Sequence, residues 1–138
     1  MTDKPVPTIN DLAAPFWQGT AARELRVLRC RRCDHHFLYA HEWCPRCWAP
    51  EPQWVATAGL GTVVAATVVH QAPYAAFAPD VPYVVAIVRL DEGPRMMANI
   101  VTRAPGRVHI GLRVEVDFEM RGEVALAQFR PANAVAME

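Results

Sequence analysis

The chain is almost without lysine: of its 14 cationic side chains only Lys4 is a lysine, and the other thirteen are arginine. It also lacks an excess of either charge, with 14 acidic residues and a formal net charge of zero. Residues 1–54 carry seven cations against six anions and residues 55–138 carry seven against eight, so neither half is a basic tail. Non-specific affinity for a polyanion rests on excess cationic charge, so this balance argues against a nucleic-acid-binding role, although it leaves room for a local basic patch. Arginine in this proportion suits bidentate contact with phosphate or carboxylate; a GC-rich genome would produce the same bias. No apolar run approaches the roughly 20 residues a spanning helix needs. Residues 1–10 hold no charged-then-apolar leader, so the expected setting is the reducing cytoplasm.

Catalytic signatures are missing too. There is no Ser-His-Asp arrangement that the spacing supports, no phosphate-binding glycine loop and no HExxH. No internal repeat or low-complexity tract is present. No cysteine stands outside the two pairs described next, so none is free to act as a nucleophile. The expectation is a protein without catalytic residues of its own.

What the chain does have is Cys30-Arg31-Arg32-Cys33 and, after ten residues, Cys44-Pro45-Arg46-Cys47. Each CxxC can turn two thiolates onto one ion, and two of them complete a tetrahedral sulfur shell. The gap is shorter than the usual 15–20 or so residues, which suits a compact ribbon with two knuckles facing across one hairpin. Soft thiolates at tetrahedral spacing favour zinc first and iron second. A closed four-sulfur site has no open position for activating water, so the metal is expected to be structural. His35, His36 and His41 lie between the pairs and are expected at the surface or behind the ligands.

Three segments surround this motif, with expected limits of 1–24, 25–56 and 57–131 and a flexible tail at 132–138. In the first, Ile9, Leu12, Ala13, Phe16 and Trp17 recur at helical spacing. Pro15 would clash inside one helix, so two short helices are predicted, the second opening at Pro15, with Thr8 or Asn10 as a cap. In the second, residues 25–30 form a lead-in strand, and residues 37–39 with Trp54 are expected to cover the sulfurs. So small a module buries little apolar surface, and its metal must supply much of its stability. In the third, five strands are predicted at 62–70, 83–90, 95–101, 114–120 and 124–130. Turns at Asp91-Glu92-Gly93-Pro94 and Arg121-Gly122-Glu123 separate pairs of them. Val114, Val116 and Phe118 alternate with Glu115, Asp117 and Glu119, the pattern of a half-exposed strand. A composition that is 52% hydrophobic can fill such a core, and the layout is that of a five-stranded OB-fold barrel. The fold class is thus mainly β: a helical hairpin, a rubredoxin-like zinc ribbon, then the barrel. The loop from Gln71 to Pro82 has three prolines and two aromatics and almost no charge; it is expected to meet a partner or the apolar arm of a ligand.

This order of parts resembles the zinc-ribbon OB-fold proteins of the domain-of-unknown-function-35 family. The resemblance runs through Pro15-Phe16-Trp17, Glu24-Leu25-Arg26, both CxxC pairs, Gly61-Thr62-Val63 and Thr67-Val68-Val69-His70. It continues through Pro82-Tyr83-Val84-Val85-Ala86, Asp91-Glu92-Gly93, Asn99-Ile100-Val101, Ile110-Gly111 and Phe129-Arg130-Pro131. It implies a non-catalytic subunit of a thiolase-fold enzyme acting on acyl-CoA: a thiolase, a lipid-transfer-protein-like aldolase of steroid side-chain breakdown, or a C-acyltransferase. It implies hetero-oligomers in which the small chain stabilises the partner and helps form its CoA channel. Cys30, Cys33, Cys44 and Cys47 then hold one zinc ion. Tyr74, Phe77, Tyr83 and Asn99 are candidates for contact with CoA or the partner, and Arg46 and Arg103 for its phosphates. Many knuckles place glycine after the second cysteine; Asp34 and Trp48 stand there instead, so the second knuckle is expected to be irregular, with Trp48 turned toward a partner. A free-standing acyl-CoA module and, less favoured, a single-strand nucleic-acid binder are the competing readings.

Overall fold

A computed structural model describes residues 4–132. Residues 4–13 approach as an extended strap that ends in a turn, where the Asn10 Oδ1 accepts the Ala13 N–H at 2.8 Å. One helix follows, α1 (Ala14–Ala21), with proline in its first turn. The predicted hairpin of two helices is therefore a capped turn and a single helix. Helix continuation would place Pro15 where it breaks the backbone ladder, whereas at the helix start its missing N–H costs nothing.

Strands β1 (Arg26–Arg29), β2 (His36–Phe37) and β3 (Gln53–Ala56) make a small antiparallel sheet in the order β2-β1-β3. The remaining strands are β4 (Leu60–Val69), β5 (Tyr83–Leu90), β6 (Arg95–Ile100), β7 (Arg113–Arg121) and β8 (Val124–Pro131). They close a barrel in the order β4-β5-β6-β8-β7, the OB arrangement. All five predicted strands are present within about two residues. β8 runs through Pro131, and the Ala132 N–H bonds the Arg113 carbonyl at 2.9 Å; the rest of the expected tail lies outside the described residues.

β1 joins the two parts because a strand alternates its faces. Leu25 and Val27 enter the barrel core with Val63, Val84, Val88, Leu90, Val114 and Phe129, while Leu28 and Cys30 enter the cysteine cluster. Thr57 ties the junction down, donating through its N–H and its hydroxyl to the Leu25 carbonyl at 2.9 and 2.8 Å. At Gly61 β4 leaves no room for a side chain against β5: an added Cβ would lie 2.6 Å from Val88 Cγ1. On β7 only Val114 is fully buried, and the acidic residues between its apolar ones are half-covered rather than fully solvated. They are covered because they pair: Glu115 with Arg130 at 2.9 Å, Asp117 with Arg23 at 3.4 Å and Glu119 with Arg121 at 3.0 Å.

Candidate metal centre and apolar groove

The four cysteine sulfurs lie within 4.8 Å of one another. Cys30 and Cys47 approach to 3.5 Å and Cys33 and Cys44 to 3.6 Å. Zinc with Zn–S bonds of about 2.3 Å sets its sulfurs about 3.8 Å apart in a tetrahedron, so the four are arranged to bind one zinc ion. Backbone N–H groups aim at the sulfurs as metal knuckles require: Arg32 and Cys33 toward Cys30 Sγ at 3.4 and 3.3 Å, and Arg46 toward Cys44 Sγ at 3.4 Å. Such donors stabilise thiolate over thiol.

The two knuckles match closely. Asp34 and Trp48 take φ values of 67° and 65°. Their N–H groups reach back to the carbonyls of Cys30 and Cys44 at 3.2 and 2.9 Å, and Cys30 and Cys44 in turn donate to the carbonyls of His35 and Ala49 at 2.8 and 2.9 Å. The expected irregularity of the second knuckle is absent, because the ring closure dictates positive φ whatever side chain stands there. Trp48 is 73% exposed and does project outward.

Without a cation, four thiols this close share their protons unevenly. The Ala49 N–H, against the cost of burial and helped by the neighbouring cysteines and Arg32, holds the Cys47 thiol down at about 6. At Cys33 the His35 N–H pulls downward, but burial and the other thiols outweigh it and push this group up to about 12. Metal uptake must therefore displace protons and weakens as pH falls. Phe37 is buried in the cysteine cluster and Trp54 packs on it, as expected of sulfur covers. Leu38 and Tyr39 do not cover the sulfurs. Leu38 turns to the barrel core, and the Tyr39 hydroxyl accepts the Met97 N–H at 3.1 Å, linking ribbon to barrel. The ring of His35 stacks on Phe37 at 5.9 Å, and that of His41 tilts against it at 6.2 Å.

A second feature lies on the barrel. β6 and β8 meet at one register pair, Ile100 with Phe129, where the Val101 N–H also bonds the Phe129 carbonyl at 2.7 Å. Elsewhere the strands part, and an apolar groove of about 960 Å³ opens beside them, bounded by α1, the strap and the loop before β5. Tyr74, Phe77, Tyr83 and Asn99 all line it. The three rings form a chain, with centroids 6.0 Å apart for Tyr74–Phe77 and 6.4 Å for Phe77–Tyr83. Asn99 donates to the Val84 carbonyl at 3.0 Å. Arg46 and Trp48 lie on the ribbon away from the groove lining, and Arg103 is exposed on the β6–β7 connection beside it.

Sequence reasoning missed Lys4, Met97 and Arg121. Lys4 pairs with Asp80 and stands 5.4 Å from the Phe77 centroid; Arg121 stands 5.7 Å from the same ring and pairs with Glu119. Met97, 62% exposed, edges the groove. A lone lysine in a strap and an exposed methionine on a strand carry no local signal; only the fold brings Lys4 and Arg121 to Phe77.

Fold and site together define a structural zinc ribbon joined to an OB barrel. Residues 17–53 match the family description "ChsH2, rubredoxin-like zinc ribbon domain", and residues 54–119 match "ChsH2, C-terminal OB-fold domain". The chain belongs to the DUF35 family. It is 36% identical to the solved "Ltp2-ChsH2(DUF35) aldolase", with a TM-score of 0.82 over 92% of this chain and 99% of that one. It is 37% identical over 130 residues to the "Probable enoyl-CoA hydratase alpha subunit" of Thermomonospora curvata, covering 94% of this chain and 40% of that protein. A "DUF35 domain-containing scaffold protein" of Methanocaldococcus jannaschii is 38% identical over 66% of this chain and 64% of its own length. The chain thus spans less than half of the hydratase subunit that it resembles.

Proposed function

We propose that this chain is a non-catalytic accessory subunit of a thiolase-fold enzyme that acts on acyl-CoA, stabilising that enzyme and contributing the barrel groove to its CoA channel. The observation that carries the reading is the groove itself. It exposes Tyr74, Met97 and Tyr39 at 61%, 62% and 59%, an apolar concavity of the kind that marks ligand grooves and partner surfaces. The ionised side chains in its lining are paired among themselves, Lys4 with Asp80 and Arg121 with Glu119. The groove therefore offers apolar contact and ring faces but no arranged acid, base or nucleophile. The aldolase whose DUF35 chain this one resembles supports a lyase as the partner.

The reading has a direct test. Calorimetric titration with an acyl-CoA should give no saturable binding to the isolated chain and saturable binding to its complex with the thiolase-fold partner. Saturable binding by the chain alone would instead make it a free-standing acyl-CoA module. The nucleic-acid reading requires cations free to meet phosphates beside the aromatic face; here the cations in the groove lining are already in ion pairs.

A further inference from the structure

The barrel uses only the first part of the ten-residue β4 on its β7 side. Leu60, Gly61 and Thr62 pair with Glu115, Val114 and Arg113. Val63 ends that ladder, donating to the Leu112 carbonyl at 2.9 Å and accepting the Gly111 N–H at 2.8 Å. From residue 64 to 69, among the described residues, β4 has no neighbour but β5, with Val64 bulged and Ala65 to Val69 paired. Alternation identifies the groups left over. Leu90 donates to Pro94, toward β6, so successive residues of β5 turn Ile87, Val85 and Tyr83 toward β4, opposite Ala65, Thr67 and Val69. The N–H and C=O of Ala66 and Val68 consequently point to the open side. Ala65, Ala66 and Thr67 are exposed.

Exposed strand edges are normally blunted by charge, proline or cover, because a row of free N–H and C=O groups recruits other strands. Here the whole strand reads LGTVVAATVV, without a charge or a proline. The one bulge among the described residues falls between Val63 and Ala65, and from Ala65 to Val69 the register with β5 is unbroken. The small side chains of Ala65 and Ala66 let another backbone approach. Ile110, 72% exposed, sits one residue before the Gly111 that bonds Val63, so an apolar side chain flanks the free edge.

Such an edge is satisfied by a strand, which alone presents backbone donors and acceptors at matching spacing. A second copy of this chain is a poor occupant: six residues per side fall far short of the roughly 20–30 per side of a standard interface. The occupant must be held by other contacts as well, and an undefended edge must stay covered. Building on the accessory-subunit reading, we infer that residues 64–69 accept an extended strand of the partner enzyme subunit, which continues the β5–β4 ladder across the subunit boundary.

Residue-resolved hydrogen exchange on the full chain, alone and in complex with its purified thiolase-fold partner, tests this. The Ala66 and Val68 amides should slow about fivefold on complex formation, the effect of one net hydrogen bond. Those of Ala65 and Thr67, already bonded to β5, should change little. Ala66→Pro removes an outward N–H at an edge position that tolerates proline, and should raise the Kd of the complex about fivefold, again one hydrogen bond's worth. If that variant misfolds, the exchange pattern of the unaltered chain decides alone. A complex that forms without slowing Ala66 and Val68 overturns the strand-addition inference and leaves the accessory-subunit reading intact. Failure of any thiolase-fold protein to form the complex sinks both. A dimer of the free chain that Ala66→Pro dissociates, seen by light scattering, would assign the edge to a second copy and overturn the inference.

Discussion

The ribbon and the barrel share β1 yet are held together differently. Among the described residues the barrel's buried cluster has eleven members, all apolar, whereas the ribbon's has five, two of which are cysteines. Apolar burial stabilises by roughly 25 cal/mol per Å², enough for the larger cluster to hold its own strands in place. The smaller cluster cannot offset the backbone entropy of two knuckles and a two-residue strand, and a metal–sulfur core must supply the difference. On this account the ribbon's folding depends on metal supply and the barrel's does not.

The sharpest way to break this comparison is Cys44→Ser. Cys44 is fully buried and one of four converging sulfurs. Structural zinc in comparable modules contributes apparent free energies of about 10–16 kcal/mol, so the variant should lose its metal and unfold the ribbon. Metal analysis and limited proteolysis would show it. The barrel should persist, but with a lowered Tm, because Leu25 and Val27 leave its core along with β1. An unchanged barrel Tm would mean that β1 does not join the two regions.

Phe129→Ala probes the other side. Phe129 is fully buried on β8 at the point where β6 and β8 meet, and the truncation should cost about 3–5 kcal/mol in chemical denaturation. One zinc per chain should remain. Loss of zinc together with the barrel would contradict the separation of the two regions.

What could be read from the sequence divides along the same line. Metal ligation depends on short spacings, and the two CxxC pairs appear in the structure as matched knuckles. The barrel strands were legible because their runs end at explicit turns such as Asp91-Glu92-Gly93-Pro94. The helical hairpin was misjudged, since a stripe containing Ile9 and Leu12 satisfies helical spacing while the structure leaves both 40–50% exposed. The acidic stripe of β7 read as solvent-facing because its arginine partners, Arg23 and Arg130, are remote or unmarked in sequence. Tyr39 read as a sulfur cover, yet its hydroxyl is drawn to a strand N–H almost sixty residues on, at Met97. Local chemistry is written locally; the groove is made of long-range neighbours.

Trp48→Gly tests a smaller effect within the ribbon. A bulky residue at φ 65° carries left-handed strain of roughly 1–2 kcal/mol, which glycine relieves at some entropic cost. The variant should hold its metal against a chelator at least as well as the original chain. Weaker retention would show that the exposed indole supports the knuckle.

The smallest expected effect belongs to the barrel surface. Hydrogen bonds from Arg113 at 2.7 and 2.9 Å hold the Asp91 carboxyl below its usual range. A depressed acid stabilises the fold above its unfolded pKa of about 3.9, and that contribution is lost as pH falls through the lower folded value. Both partners are about half exposed, so Asp91→Asn should cost under about 1 kcal/mol at pH 7. Urea midpoints of the two proteins should converge in acid; a gap that widened there would reverse the sign of this linkage.

The measurement that tests the central claim most directly is affinity purification of the tagged chain from its own cells, with mass spectrometry of what accompanies it. The account predicts a near-stoichiometric thiolase-fold protein, whose substrate would then identify the acyl-CoA. A chain that comes down alone and binds an acyl-CoA saturably without help would contradict it.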